Sequence, residues 1–236
     1  MSMTIADNVA AVKEKIAAAA ARSGRSASDV MLVAASKMND AQRVREAIAA
    51  GVDACGENRV QELLEKNALG AYEGAALHFI GHLQKNKVKH VVGTVELIHS
   101  VDSVALLEAI DRTAKARGLV QDLLLEINIA AEPSKSGFAP EELPGALEAA
   151  SRLEGVRVRG LMVIPPFCVY GEENMQYFEK LRQLFVDNCK KKYDNVCMDF
   201  MSMGMSGDYE AAIACGSNMV RIGTAIFGAR HYGEGT

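Results

Sequence analysis

Two hydrophobic patterns alternate along the chain: short continuous apolar runs, and longer stretches whose apolar residues stand three and four apart. The first reads as strands buried on both faces, the second as helices with one buried face. Ile5, Val9, Val12 and Ile16 predict a leading helix that ends near Gly24. The run Val30-Met31-Leu32-Val33-Ala34-Ala35 then enters Ser36 and Lys37, and a polar turn follows at Met38-Asn39-Asp40. Asp40 is placed to cap a helix that buries Val44, Ala47 and Ile48 and stops at Gly51. Further strands are predicted around 52–56, 77–80, 97–99, 123–129, 156–164, 200–203 and 219–222. Helical patterns fill the intervals. They run through Val60, Leu63 and Leu64, from Gln84, and through Leu106, Leu107 and Ile110 behind a Ser103 cap. Others open at Pro140, run through Phe178, Leu181, Leu184 and Phe185, and occupy 208–215.

Eight strands, each followed by a helix and spaced by about 30 residues, predict an α/β chain folded as one (β/α)8 TIM barrel with an extra N-terminal helix. A doubly wound open sheet is the alternative, but it needs a glycine-rich phosphate loop after the first strand, and Lys37 stands there. No Pro/Gly/Ser linker interrupts the alternation, so 1–236 reads as a single domain, with the leading helix at about 4–23 and the barrel at about 29–230.

Composition narrows the function classes. A net charge of -4 with 24% charged residues gives no electrostatic footprint for nucleic acid. No apolar stretch approaches the ~20 residues of a membrane span, and the alanine-rich start is flanked by Lys13, Glu14 and Lys15, unlike a secretory signal. Five scattered cysteines without a C-x-x-C pair argue against disulfides and structural zinc, and so for a cytoplasmic protein. His78 and His82 are four apart, but Phe79-Ile80-Gly81 between them reads as a strand end, so no metal site is expected.

In a barrel the strand ends converge on one mouth, where this fold carries its chemistry. The residues gathered there are Ser36, Lys37, Glu57, Asn58, His82, Ser100, Asp102, Asn128, Met162, 202–208 and 221–224. A lysine near an apolar wall can present a neutral amine, which attacks an aldehyde to form a Schiff base. Ser202-Met203-Gly204-Met205-Ser206-Gly207-Asp208 and Arg221-Ile222-Gly223-Thr224 offer glycines, hydroxyls and helix starts in the loops after strands seven and eight, where barrels bind phosphate. An aldehyde-reactive lysine opposite a phosphate cradle suggests pyridoxal 5′-phosphate (PLP), with Arg221 as the partner of its pyridine nitrogen. An ion pair of Arg221 with Glu57 or Asp208 is the competing reading. The lysines 85, 87 and 89 with His90 read as a solvated helix face, and Met198, Met201, Met203 and Met205 as core filling.

The runs Leu32-Val33-Ala34-Ala35-Ser36-Lys37, Gly56-Glu57-Asn58-Arg59-Val60-Gln61-Glu62 and His78-Phe79-Ile80-Gly81-His82-Leu83-Gln84 resemble the pyridoxal 5′-phosphate homeostasis protein family. So do Ile98-His99-Ser100-Val101-Asp102-Ser103, Gly160-Leu161-Met162, the 202–208 loop and Val220-Arg221-Ile222-Gly223-Thr224-Ala225-Ile226-Phe227-Gly228. The resemblance extends from about 30 to 230 in the family's order. It departs at Met38 and Asn218, where the family commonly has threonine, both expected at the pocket's edge, and at Asn174-Met175-Gln176, which lacks an arginine often found before the pair Tyr177-Phe178 and so carries over no ligand or partner contact for that helix. The resemblance implies an alanine racemase N-terminal-domain-like barrel with PLP on Lys37, its phosphate at Ser206, Gly207, Gly223 and Thr224, and its ring nitrogen at Arg221. Asn58, His82 and Met162 are then expected to line the pocket. It also implies a PLP carrier acting in vitamin B6 and amino-acid homeostasis without enzyme activity, handing cofactor to apo PLP-dependent enzymes, and a monomer is expected. A PLP-dependent amino-acid racemase is the alternative. That reaction needs a second acid/base across from Lys37; Tyr209 and Tyr232 are the candidates, and nothing in the sequence aims either at the pocket.

Overall fold

The computed structural model describes residues 3–132, 135–167, 171–189 and 193–228. The leading helix α1 (Ile5–Arg22) opens with a reciprocal cap between Thr4 and Asp7 and buries Ile5, Val9, Val12, Ile16, Ala19 and Ala20. Eight parallel strands follow in sequence order and close on themselves. They are β1 (Met31–Ala35), β2 (Ala54–Glu57), β3 (Ala76–Phe79), β4 (Leu97–Val101), β5 (Gln121–Glu126), β6 (Val156–Met162), β7 (Val196–Ser202) and β8 (Met219–Ile222). The helices between them are α2 (Ala41–Ala49), α3 (Val60–Ala68), α4 (Val88–Val91), α5 (Val104–Ala116), α6 (Leu143–Ser151), α7 (Met175–Cys189), α8 (Tyr209–Ala214) and α9 (Thr224–Phe227). Closure is sealed by β1 against β8, with Val33 beside Arg221. Helix α1 packs over this seam against α2, α8 and α9. No helix of the described residues is long and apolar enough to cross a membrane.

Two apolar clusters explain why the strand sequences read as continuous runs. Leu32, Ala34, Cys55, Ile98, Leu123, Leu125, Val220 and Ile222 point outward and pack under the helices. Val33, Ala54, Leu97, Leu124, Met162 and Met219 fill the barrel interior. Alternation along each strand then sends the next inward position toward the mouth: His99, Glu126, Ser202 and Arg221 form a polar layer above the interior cluster.

The predicted strands are all present, with shifted ends. β1 stops at Ala35, so Lys37 lies in the turn two residues beyond it. β5 stops at Glu126 and not near 129. β7 starts at Val196, earlier than its apolar pattern, because Asp199 belongs to a charged clamp: Arg157 and Arg159 of β6 hold Asp122 of β5, and Arg159 also holds Asp199. The helix expected from Gln84 is one turn of 3-10 helix (Lys85–Lys87) running into the single turn α4, with Lys85, Lys87 and Lys89 facing solvent. Met198, Met201 and Met203 pack with the core as expected. Asn218 is a correction. It precedes β8 and so lies at the amino end of the barrel, where it accepts from the Met201 N–H and donates to the Asp199 carbonyl. It is a strand clamp, far from the mouth.

Candidate functional site

Lys37 is anchored by a buried network beneath it. Ser36 and Glu57 are sealed from solvent at the ends of β1 and β2. Glu57 Oε1 accepts from Lys66 Nζ at 2.7 Å, Ser36 Oγ at 2.7 Å and the Tyr72 hydroxyl at 3.1 Å. Lys66 also donates to the Ser36 carbonyl at 2.9 Å and to Glu62 Oε2 at 3.2 Å, and Glu62 Oε2 accepts the Met38 N–H at 2.6 Å. The backbone on both sides of Lys37 is therefore tied to α3. Met38 holds a left-handed backbone, φ 61°, which non-glycine residues rarely adopt. Burial and the neighbouring Glu57 charge raise the Tyr72 pKa, which keeps its hydroxyl a donor. Glu57 thus lies under the site and not in it.

From this turn Lys37 reaches two adjoining clefts. One of 360 Å³ is lined by Lys37, Met38, Arg43, Gly223, Thr224 and Phe227. The other, of 320 Å³, is lined by Lys37, Asn58, Glu62, Gly81 and His82. Asn58 and His82 continue into a third, of 230 Å³, with Ser100, Glu126, Asn128 and Lys135. Arg43 carries no signal in its own motif. Its place at the cleft follows from α2 leaving the Lys37 turn, where Asn39 accepts from its Nε.

The two glycine loops meet beside the first cleft. Ser206 Oγ accepts from the Gly223 N–H at 3.2 Å and the Ala225 N–H at 3.3 Å, joining the loop after β7 to the start of α9. Among the described residues, the N–H groups of Ser206, Gly207 and Thr224 have no protein acceptor. A side chain at Gly207 would meet nothing within 4 Å, and one at Gly223 only ordinary contacts at 3.4 Å or more. Gly223 has φ -112°, so its backbone does not need glycine either. Open amides beside space that no side chain fills suit an anion. By contrast, a Cβ at Gly81 would come within 2.2 Å of the Asn58 carbonyl oxygen, so that glycine serves packing.

The structure does not gather every expected residue. Lys37, Gly223 and Thr224 share a cleft, but Ser206 and Gly207 line a separate 680 Å³ groove between α1 and α8. The reason is that the Ser206 hydroxyl turns inward to satisfy orphan amides of α9. Met162 is fully buried in the interior cluster, below the clefts. Tyr209 lines the α1–α8 groove, where burial pushes its hydroxyl up to about 12. Tyr232 lies outside the described residues.

Arg221 crosses the polar layer. Its Nη1 donates to the Ser202 carbonyl at 2.8 Å and to Ser202 Oγ at 2.6 Å, and its Nη2 donates to the Val163 carbonyl at 2.9 Å. Neither competing ion pair forms: Glu57 is held by Lys66, and Asp208 accepts from Asn174 and the Met205 N–H. Nε makes no hydrogen bond to a described residue. Burial lowers the guanidinium to about 10, so it stays charged at neutral pH. Because arginine only donates, Ser202 turns its proton to His99 Nδ1 at 3.0 Å. His99 then carries its proton on Nε2, facing His78 Nδ1 at 3.1 Å. Burial lowers His78 to about 4 and His99 well below its ordinary value, so both rings are neutral, as this chain requires. No sequence motif announced the chain, although the inward parity of His78, His99 and Ser202 could have.

Glu126 was also missed. It ends β5 buried, its carboxylate makes no hydrogen bond to a described residue, and burial followed by repulsion from Asp102 pushes it up to about 7. Its folded-state pKa exceeds its ordinary 4.5, so its ionisation destabilises the fold above about pH 7, and the cost fades as pH falls toward 4.5. Glu126→Gln is expected to raise the urea-unfolding free energy by about 3 kcal/mol near pH 8 and by less than about 1 kcal/mol near pH 5. A gain that does not change with pH would show that the fold leaves this carboxyl at its ordinary pKa.

These features define a class: a (β/α)8 barrel with a lysine just past its first strand and an open-amide anion cradle after its seventh and eighth. Comparison with known proteins agrees. The family model described as alanine racemase, N-terminal domain, matches residues 8–231. The pyridoxal phosphate homeostasis proteins of Aquifex aeolicus and Pseudomonas aeruginosa are each 42% identical over 98% of this chain, covering 100% and 97% of their own lengths. The chain belongs to this pyridoxal phosphate homeostasis family. Among solved structures, PipY of Synechococcus elongatus with PLP bound has a TM-score of 0.82 and 34% identity, over 95% of this chain and 100% of that one. An alanine racemase of Clostridium difficile, at 17% identity and a TM-score of 0.68, shares the fold over 97% of this chain and 58% of its own.

Proposed function

We propose that this protein is a non-catalytic carrier of PLP, acting in the cytoplasm in vitamin B6 and amino-acid homeostasis. The observation that carries the reading is that Lys37, Gly223 and the open Thr224 amide line one cleft of 360 Å³, within the roughly 300–1,000 Å³ range of small-molecule sites. Lys37 would hold the cofactor covalently. Ser206, Gly207, Gly223 and Thr224 would hold its phosphate, and the open Arg221 Nε–H its ring nitrogen. Asn58 and His82 would flank the ring, above the buried Met162. When bound, the cofactor supplies an aldehyde and an electron-withdrawing ring. A charged arginine donor leaves the ring nitrogen unprotonated, which weakens carbanion stabilisation. The racemase reading finds less support, since Tyr209 lies in a different groove from Lys37. We place all of 1–236 in one domain that works as a monomer and passes cofactor to apo PLP-dependent enzymes.

The test is the absorption spectrum of the purified protein before and after borohydride, with peptide mapping. A visible band converted to a reduced adduct on Lys37 is expected. A protein that PLP does not colour would overturn the reading. Ser206→Ala and Thr224→Ala are each expected to weaken PLP retention in equilibrium dialysis by about 1 kcal/mol, as charge-assisted hydrogen bonds are lost. Unchanged retention in both would remove the phosphate assignment.

A further inference from the structure

We propose that the 230 Å³ cleft at the carboxyl ends of β3–β5 is a binding site for a free zwitterionic amino acid with a small apolar side chain. Two of its lining residues carry acceptors with no donor among the described residues: the Glu126 carboxylate, on a residue 7% exposed, and Asn58 Oδ1. A buried unpaired acceptor costs stability, so its persistence points to a ligand donor. The Glu126 carboxylate at the end of β5, with Asn58 just beyond β2 lining the same cleft, suits an ammonium group, which brings three N–H donors and a positive charge. At the rim, His82 (side chain 58% exposed, 3.3 Å from Asp102) and Lys135 (29% exposed, paired with Glu132 at 2.7 Å) supply N–H groups that a carboxylate can share. Ile80, Ile127 and Ile164 also line the cleft and suit a short apolar side chain. Asn58 and His82 also line the cleft that Lys37 reaches, so the bound amine would lie beside that lysine. The site rests on Glu126 and Asn58 and not on the cofactor reading.

The experiment is calorimetric titration, near pH 8, of borohydride-reduced protein with L-alanine, ethylamine and propionate, beside the Glu126→Gln variant. Reduction removes amine exchange at Lys37 as a source of heat. Saturable alanine binding is expected, with ethylamine and propionate weaker by about tenfold, because each lacks one charged group. Glu126→Gln should weaken alanine by about tenfold as well. Absence of saturable alanine binding, equal binding of ethylamine, or unchanged affinity in a folded Glu126→Gln variant would overturn the assignment. The ligand comparison needs no variant, and the Lys37 adduct is read separately from the mapped peptide, so the two conclusions stand or fall apart.

Discussion

Lys37→Ala is expected to abolish every borohydride-reducible adduct while leaving the thermal unfolding midpoint nearly unchanged. The side chain springs from a turn beyond β1 and is half-buried, so its loss opens no core cavity. The strand beneath is held through backbone and neighbours: the Ser36 carbonyl accepts from Lys66, the Ser36 hydroxyl donates to Glu57, and the Met38 N–H donates to Glu62. Other lysines near the mouth do not substitute. Lys66 is committed to Glu57 in the interior, and Lys135 pairs with Glu132 at 2.7 Å. The measurement is peptide mapping after reduction, alongside calorimetric melting. A reduced adduct retained at another lysine would show that the cradle, and not Lys37, selects the attachment point.

Lys66→Met is expected to cost about 3–5 kcal/mol of stability, the usual penalty for leaving a buried charge without its partner. Glu57 is fully buried, and Lys66 is its one cationic partner among the described residues. Methionine preserves the length of the stem but leaves Glu57 Oε1 with only Ser36 and Tyr72, and Oε2 already lacks a partner. The same change leaves the Ser36 carbonyl with only the Asn39 N–H and loosens Glu62 beneath Met38, so PLP retention should fall as well. Urea unfolding of Lys66→Met, Glu57→Gln and the double variant decides the matter. The double variant should recover much of the loss, because the uncompensated carboxylate is gone. Additive losses would show that the two side chains act independently.

The buried histidines give the fold a pH limit on the acid side. In the unfolded chain they titrate near 6.5, whereas burial lowers His78 to about 4 and His99 well below its ordinary value. The unfolded state therefore binds more protons between about pH 4 and 6.5, and stability falls as pH drops through that window. Glu126 opposes this loss only in part, one carboxyl against two rings.

By itself the sequence determined the barrel and the place of its chemistry. Strands buried on both faces must be apolar at every position, and that makes them legible as continuous runs between amphipathic helices. Lys37 was legible because one lysine ends such a run, and the cradle because Ser206-Gly207 and Gly223-Thr224 recur after two strands. Strand ends carrying charge were not legible. Asp199 reads as loop until Arg159 of the neighbouring strand is seen to hold it. Only the tertiary structure decided what each polar residue faces. It put Glu57 below the site, turned Ser206 onto the α9 amides, and set Asn218 at the far end of the barrel. It also joined His78, His99, Ser202 and Arg221 into one chain and left Glu126 open to the mouth. These are contacts between strands distant in sequence. Their partners are fixed by barrel closure and register, and one-residue periodicity records which face a residue takes but not which neighbour meets it there.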